Sequence, residues 1–460
     1  MSSRRSVLAL LAAAALSPVL GPVAPVLAGG EPVRLEGTLP DGATYLIEKP
    51  ATWNGTVLLF SHGYTMLGLP NPARNAPGTV EHDRLLADGY ALIGSSYARN
   101  GWAAQEAVPD QIATLDTFER RFGRASRTIA WGQSYGGLVT GALAERHPAR
   151  FDGALPLCGL MAGGNGNWNS TLDATFAAKT LLAPGADVPL VRIAGQAAAF
   201  AGMQTMQAAI DRAQQSPVGR ARTALAAALH DMPGWSDPSV PEPGPKDWAA
   251  QQLDQYQNLR GTMLPALPWR QEAEARAGGN MSWNTGVDYR RQLAASVDRD
   301  EVRALYKTAG LDLQADLKTL NSAPRISADR PAAEYLRRNV AFSGRLRIPM
   351  LTLHTTGDGL VPVQHEEAYG DVARASGSAG LLRQTYVHAA GHCLFTPAET
   401  LAALQSLEKR IGTGRWGDAA TPRVMNDRAA ATGLGAGRYV AYRPAPFLRP
   451  FTVWSPVPKN

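Results

Sequence analysis

Between residues 33 and 159, short apolar runs alternate with stretches whose apolar positions recur at helical spacing. Thr44 to Glu48 reads as a strand, and Thr56 to Phe60 (TVLLF) as a strand buried on both faces, because no polar residue interrupts it. Val80 to Ala87 predicts a helix and Ala91 to Ser96 a strand. Ala107 to Arg121, with Ile112, Leu115 and Phe118 on one side, predicts a helix. Thr128 to Trp131 reads as a strand, Gly137 to Arg146 as a helix and Ala154 to Leu157 as a strand. Strands alternating with helices imply a parallel sheet in an α/β protein.

The pattern changes after Gly159. Leu172–Leu182, Leu190–Gln214, Arg220–His230, Asp247–Arg260, Arg290–Lys307 and Ala332–Asn339 read as helices, parted by Pro- and Gly-rich joints such as Pro233 to Pro245. The α/β pattern then returns: strand Met350–His354, helix Gln364–Ala375, strand Leu382–Val387, helix Pro397–Ile411. The chain therefore divides into a core (29–159 and 346–413), an inserted helical cap (160–345) and a tail (414–460). The tail's Tyr439, Tyr442, Phe447, Phe451 and Trp454 predict that it docks on the body rather than hanging free.

Composition narrows the field. In 460 residues, 45% are hydrophobic and 18% charged, which allows a large core and argues against disorder. The formal charge of +6 is spread without a Lys/Arg block, so no nucleic-acid footprint is expected. Arg4-Arg5, the apolar run Val7–Leu20 and Val26-Leu27-Ala28 predict a signal peptide over 1–28, hence a secreted or periplasmic protein with no stable membrane insertion once it is removed. No motif speaks to oligomeric state.

Chemistry centres on Gly132-Gln133-Ser134-Tyr135-Gly136. With 46 glycines in the chain the pattern alone is weak, so its context decides. A strand precedes it and a helix follows. A serine hydroxyl is a poor nucleophile until it is exposed and a base can take its proton; a sharp strand-to-helix turn lifts it above the sheet, and glycines leave room for the turn. His392, in Val387-His388-Ala389-Ala390-Gly391-His392-Cys393, follows the last strand and is the expected base. His388 is its competitor; His82, His147, His230 and His365 read as surface or packing residues, and His354 lies within a strand. Asp358, in Gly357-Asp358-Gly359-Leu360-Val361-Pro362, is the expected orienter of the imidazole, a turn aspartate being the alternative. Phe60-Ser61-His62-Gly63-Tyr64 closes an earlier strand. Backbone amides of Tyr135 and Tyr64 are expected to hold an oxyanion, and Gly63 and Trp168 to touch substrate.

As a set these motifs resemble the α/β-hydrolase superfamily, among its exported esterase- and peptidase-like members with a large helical cap. The resemblance covers roughly residues 33–159 and 346–411. It implies a central, mostly parallel sheet, a triad in the order Ser134, Asp358, His392, and no cofactor. No metal-binding pattern is present either; His365-Glu366-Glu367 lacks a second histidine nearby.

Cys158 and Cys393 are the only cysteines, each expected at the sheet edge near the site. They predict a disulfide that steadies the His392 loop, with two buried thiols as the alternative. Gly163 to Asn169 reads as a flexible lip, and most of Trp168, Trp235, Trp248, Trp269 and Trp283 as cap core. The leading expectation is a carboxylic-ester hydrolase working through an acyl-enzyme on a small-molecule or short-chain substrate. The alternatives are a serine exopeptidase, for which Asp288 or Glu301 could bind an amino terminus, and an inactive binding protein.

Overall fold

The computed structural model describes residues 31–457; the leader read at 1–28 lies outside them. Nine strands form one sheet: β1 (Val33–Thr38), β2 (Thr44–Lys49), β3 (Thr56–Ser61), β4 (Ala91–Ser95), β5 (Arg127–Gln133), β6 (Gly153–Leu157), β7 (Met350–Gly357), β8 (Leu382–Ala390) and β9 (Tyr439–Val440). Their order is β1-β2-β4-β3-β5-β6-β7-β8-β9. β4, β3, β5, β6, β7 and β8 run parallel, while β1, β2 and β9 are antiparallel to their neighbours.

Every residue of β3, β4 and β6 is buried, as the unbroken apolar runs require. Alternate side chains feed two cores. Val57, Leu59 and Ile93 pack with Leu115, Phe118, Leu138 and Val139 from helices Ala107–Phe122 and Tyr135–Arg146. Leu58, Phe60 and Leu92 face Leu85, Leu401 and Leu404 from helices Thr79–Ala87 and Pro397–Thr413. The latter helix opens on a capping box between Thr396 and Glu399.

Residues between β6 and β7 are helical, with a core of their own that includes Leu172, Ala224, Leu225, Leu293 and Val302. Trp168, Ala266, Leu336 and Val340 from this stretch join the sheet's core, so the helices are welded to the body and not hinged on it.

Several local expectations differ from the structure. Arg290–Lys307 is two helices, Tyr289–Ala295 and Arg299–Thr308, because Ser296 is extended and its hydroxyl accepts from the Asp298 amide. The helix expected from Leu190 begins at Gln196, since Arg192 and Gly195 both have positive φ. Helices Ala266–Ala277, Leu313–Ser322 and Pro422–Ala431 have no counterpart in the sequence reading.

The largest difference concerns Gly163 to Asn169. This stretch is not a flexible lip; it is the buried start of helix Gly163–Leu182. Its glycines permit close packing. A Cβ on Gly164 would lie 2.6 Å from Val340 Cγ2. Asn165 Nδ2 donates to Ala333 O (3.0 Å) and Asn169 Oδ1 accepts from the Trp283 amide (2.9 Å). Tertiary contacts thus override poor helix propensity. In the tail, Tyr439, Phe447 and Phe451 are buried, whereas Tyr442 and Trp454 are exposed.

Candidate active site

Five loops leave the C-terminal ends of the parallel strands and converge. β5 runs directly into Ser134, whose φ of 59° and ψ of −122° mark a strained turn. The flanking glycines are sterically required. A Cβ on Gly136 would lie 1.8 Å from Ser61 O, and one on Gly132 would lie 2.5 Å from Gly136 O. The Ser134 amide is tied to Leu157 O (2.9 Å).

His392 follows β8. Its Nε2 is 2.7 Å from Ser134 Oγ and its Nδ1 is 2.7 Å from Asp358 Oδ2. Asp358 is fully buried just past β7, and its Oδ1 accepts the amides of Leu360 and Val361, each at 2.9 Å. Burial by itself would raise the Asp358 pKa. The neighbouring His392 and hydrogen bonds from His354 and His392 outweigh burial and hold the carboxyl below its ordinary value. The three side chains named from sequence therefore meet in one hydrogen-bonded line, in a geometry able to move a proton from a serine hydroxyl to an imidazole. His388 does not join them; it is exposed, stacked on Trp235 and 3.7 Å from Glu242.

Gly63 abuts Ser134: a Cβ there would be 3.5 Å from Ser134 Cβ. Its loop is pinned by His62, which stacks on Tyr97 and bonds Ser96 O (3.0 Å). Among the described residues, neither the Tyr64 nor the Tyr135 amide donates an internal hydrogen bond, which leaves both available to a ligand.

Cys158, after β6, and Cys393 form a disulfide with a Cα separation of 5.4 Å. Among the described residues, Cys158, Cys393 and His392 are the one cluster with metal-ligand spacing, but the two sulfurs are bonded to each other and offer no thiolate.

Above Ser134 lies a cavity of about 500 Å³. Tyr64, Trp102, Trp168 and Trp269 wall it, with Met263 and Leu360. Trp102 packs against both Trp168 (5.0 Å between ring centroids) and Tyr135 (5.2 Å), and Tyr64 against Trp269 (5.4 Å). Gly63 and Trp168 both line it, as expected. Trp102 and Arg74 also line it and were not foreseen. Each belongs to a loop without a motif, and only the tertiary fold brings them in. Arg74 is exposed and makes no ion pair or hydrogen bond to another described side chain. Asp288 instead caps helix Tyr289–Ala295, and Glu301 is buried against Gln255; neither lines this cavity.

Among the described residues, no helix is long and apolar enough to cross a membrane. Residues 88–178 match the model of the prolyl oligopeptidase family. The chain is also similar to an o-phthalyl amidase from Xanthobacter agilis, with 31% identity over 435 residues, covering 88% of this chain and 93% of the relative. Solved structures with a looser likeness include feruloyl esterase B from Aspergillus oryzae (14% identity, 84% of this chain and 83% of that one, TM-score 0.39). Another is the acylaminoacyl peptidase of Pyrococcus horikoshii (10% identity, 84% of this chain, TM-score 0.35), of whose length this chain covers only 40%. Alignment with the Xanthobacter enzyme over nearly its whole length, on a mostly parallel sheet with a strand–serine–helix turn, places this chain in the α/β-hydrolase superfamily of serine hydrolases, in one family with that amidase.

Proposed function

We propose that the protein hydrolyses amides, and the corresponding carboxylic esters, of a compact aromatic acid that carries a second carboxylate on its ring. Ser134 attacks the acyl carbonyl while His392 takes its proton. Asp358 holds the imidazole's tautomer and stabilises the imidazolium. The Tyr135 and Tyr64 amides hold the oxyanion. His392 then protonates the leaving group, and water releases the acid from the acyl-enzyme. An ester leaves more readily than an amide, so the same acyl site serves both.

The aromatic-walled cavity over Ser134 carries this reading. Its volume accommodates an aromatic acyl group together with its leaving group, and Tyr64, Trp102, Trp168 and Trp269 offer faces and edges for stacking. Arg74 is a cation at its margin with no internal anion to satisfy, so a substrate carboxylate would be its partner. The name of the Xanthobacter relative agrees: a phthalyl group is a benzoyl ring with an ortho carboxylate. A peptidase that grips a free amino terminus needs a carboxylate facing the bound substrate, and no Asp or Glu lines this cavity among the described residues. We also propose that the protein works outside the cytoplasm, a setting in which its disulfide would persist.

The test is a matched set of anilides and phenyl esters carrying phthalyl, benzoyl or aminoacyl groups. Phthalyl substrates are expected to exceed benzoyl ones in kcat/KM. Arg74→Ala is expected to lower phthalyl turnover by about 10- to 100-fold, the worth of one charged hydrogen bond, and benzoyl turnover by much less. Turnover confined to aminoacyl anilides would favour the exopeptidase instead.

A further inference from the structure

The line of polar side chains that starts at Ser134 continues past Asp358 through an ion-pair contact. Behind that carboxylate sits His354, on β7, with no exposed surface. Its Nε2 is 2.8 Å from Val361 O and 3.4 Å from Asp358 Oδ2; its Nδ1 is 3.1 Å from Glu366 Oε1. Glu366, on helix Gln364–Ala375, is fully buried too. Its Oε2 accepts from Thr352 Oγ1 (2.5 Å) and Gln384 Nε2 (2.9 Å).

Both nitrogens of His354 face acceptors, two of which belong to carboxylates. A neutral ring would have one N–H and would set its bare nitrogen against an oxygen lone pair. The far oxygen of Glu366 accepts from two donors, and its near oxygen meets His354 Nδ1. Two buried carboxylates with no cation between them would repel strongly at low dielectric.

We propose that His354 is a fixed imidazolium, held by Glu366, that positions Asp358 and draws off part of its charge, so that the working relay is five side chains long: Ser134, His392, Asp358, His354, Glu366. This rests on the triad roles assigned above. Burial alone would push the His354 pKa down, but hydrogen bonds to Asp358 and Glu366 and their charges drive it up, to about 10. His62 is the internal contrast. Its ring nitrogens also meet two carbonyls, Gly63 O and Ser96 O, but no anion, and burial pushes it down to about 4. His365 is also close to this pair, its Nδ1 accepting the Ala162 amide; burial and the His354 charge keep it neutral. Tyr369 and Tyr386 feel the Glu366 charge too, and burial pushes both hydroxyls up.

A cation behind Asp358 moderates the pull of that carboxylate on the imidazolium that forms as the Ser134 proton is taken, so removing it should hold that charge more tightly. His354 is in this sense a positioning residue; it reaches no substrate.

The direct test is the histidine ¹⁵N spectrum of the wild-type protein at about pH 8, where an unperturbed ring is neutral. His354, assigned by its absence from the His354→Gln spectrum, is expected to show two protonated nitrogens. If that variant does not fold, through-bond correlations in the wild-type protein supply the assignment, and one protonated nitrogen on His354 would overturn the proposal. Kinetics on a neutral phenyl ester supply the second readout. In both His354→Gln and Glu366→Gln the acid limb of the kcat/KM profile is expected to move up by about half to one pH unit. A lower kcat with an unmoved limb in both would reduce His354 to a packing residue and also overturn the proposal. Stability supplies the third readout. Because the His354 pKa is raised on folding, its contribution is full below the unfolded value, about 6.5, and is lost as pH rises through about 10. The wild-type Tm should therefore fall toward His354→Gln across that window; parallel Tm curves would count against a charged His354. Failure of the triad reading itself looks different: Ser134→Ala would then retain turnover.

Discussion

Ser134→Ala lowers kcat about a million-fold, and Asp358→Asn about ten-thousand-fold, on any ester or amide the protein cleaves. The two losses have different origins. Alanine removes the hydroxyl that lies 2.7 Å from His392 Nε2, so what survives is whatever the amides proposed to hold the oxyanion and the cavity do for attack by water. Asparagine keeps the shape at position 358. Its amide nitrogen, however, can donate toward His392 Nδ1, or its oxygen can accept without carrying a charge. In the first case the imidazole holds its proton on the wrong nitrogen; in the second the imidazolium goes unstabilised. Asp358 Oδ1 accepts two backbone amides, which directs the substituted NH₂ to the side where Oδ2 met His392, so the wrong tautomer is the expected state. Steady-state kinetics with a fluorophosphonate label as a second readout check this. Ser134→Ala should not label and Asp358→Asn should label slowly, both with wild-type circular dichroism. Retention of more than about a hundredth of the activity by either variant would remove that residue from the assigned role.

The three residues proposed as a triad were legible because each announces itself largely through its own neighbours in sequence. Gly132 is a glycine for a reason that operates within a few residues, the approach of Gly136 O in the turn itself, while Gly136 makes room for Ser61 O at the end of the neighbouring strand β3. Asp358 and His392 each sit just past a short stretch that reads as a strand, Met350–His354 for the first and Leu382–Val387 for the second. His354 lies four residues before Asp358 and was read as a strand residue. Nothing in the pattern says that its neighbour across the turn is Glu366, because helix Gln364–Ala375 must first fold back on β7. Arg74 and Trp102 were missed for the same reason: neither belongs to a motif, and only the folded cavity shows what they border. Gly163 to Asn169 misled in the opposite direction. Its glycine and asparagine content reads as a loop when contacts are ignored, yet those residues are what a helix needs when another backbone lies against it and every side-chain amide finds a partner. The strands, whose signal is their own burial, were the easier part; the helical insertion, whose faces turn toward one another as much as toward the sheet, was misread at its joints.

Reduction of the Cys158–Cys393 bond should destabilise the fold and slow the enzyme together. The bond closes a span of 235 residues that contains the whole helical insertion. In the chain-entropy view a loop of that size is worth about 5 kcal/mol, and measured disulfides more often return about 2–5 kcal/mol. For a chain of this size, a Tm lowered by roughly 2–5 °C is the expected result in Cys158→Ser/Cys393→Ser. The effect on turnover has a local cause. Cys158 and Cys393 both hold positive φ, 44° and 59°, a conformation unfavourable for a side-chain-bearing residue, and the bond helps to keep them there. Cys393 is the residue after His392, and its sulfur lies 3.3 Å from His392 Nε2. If the loop relaxes, Nε2 leaves the 2.7 Å contact with Ser134 Oγ, while Asp358, anchored by two amides on β7's own loop, stays put. The double variant should therefore lose about 10- to 100-fold in kcat at temperatures well below its Tm, since misplacing a catalytic group by about 1 Å has a penalty of that size. Unchanged kcat with a lowered Tm would make the bond a staple for the insertion alone; unchanged Tm with a lowered kcat would confine its work to the His392 loop.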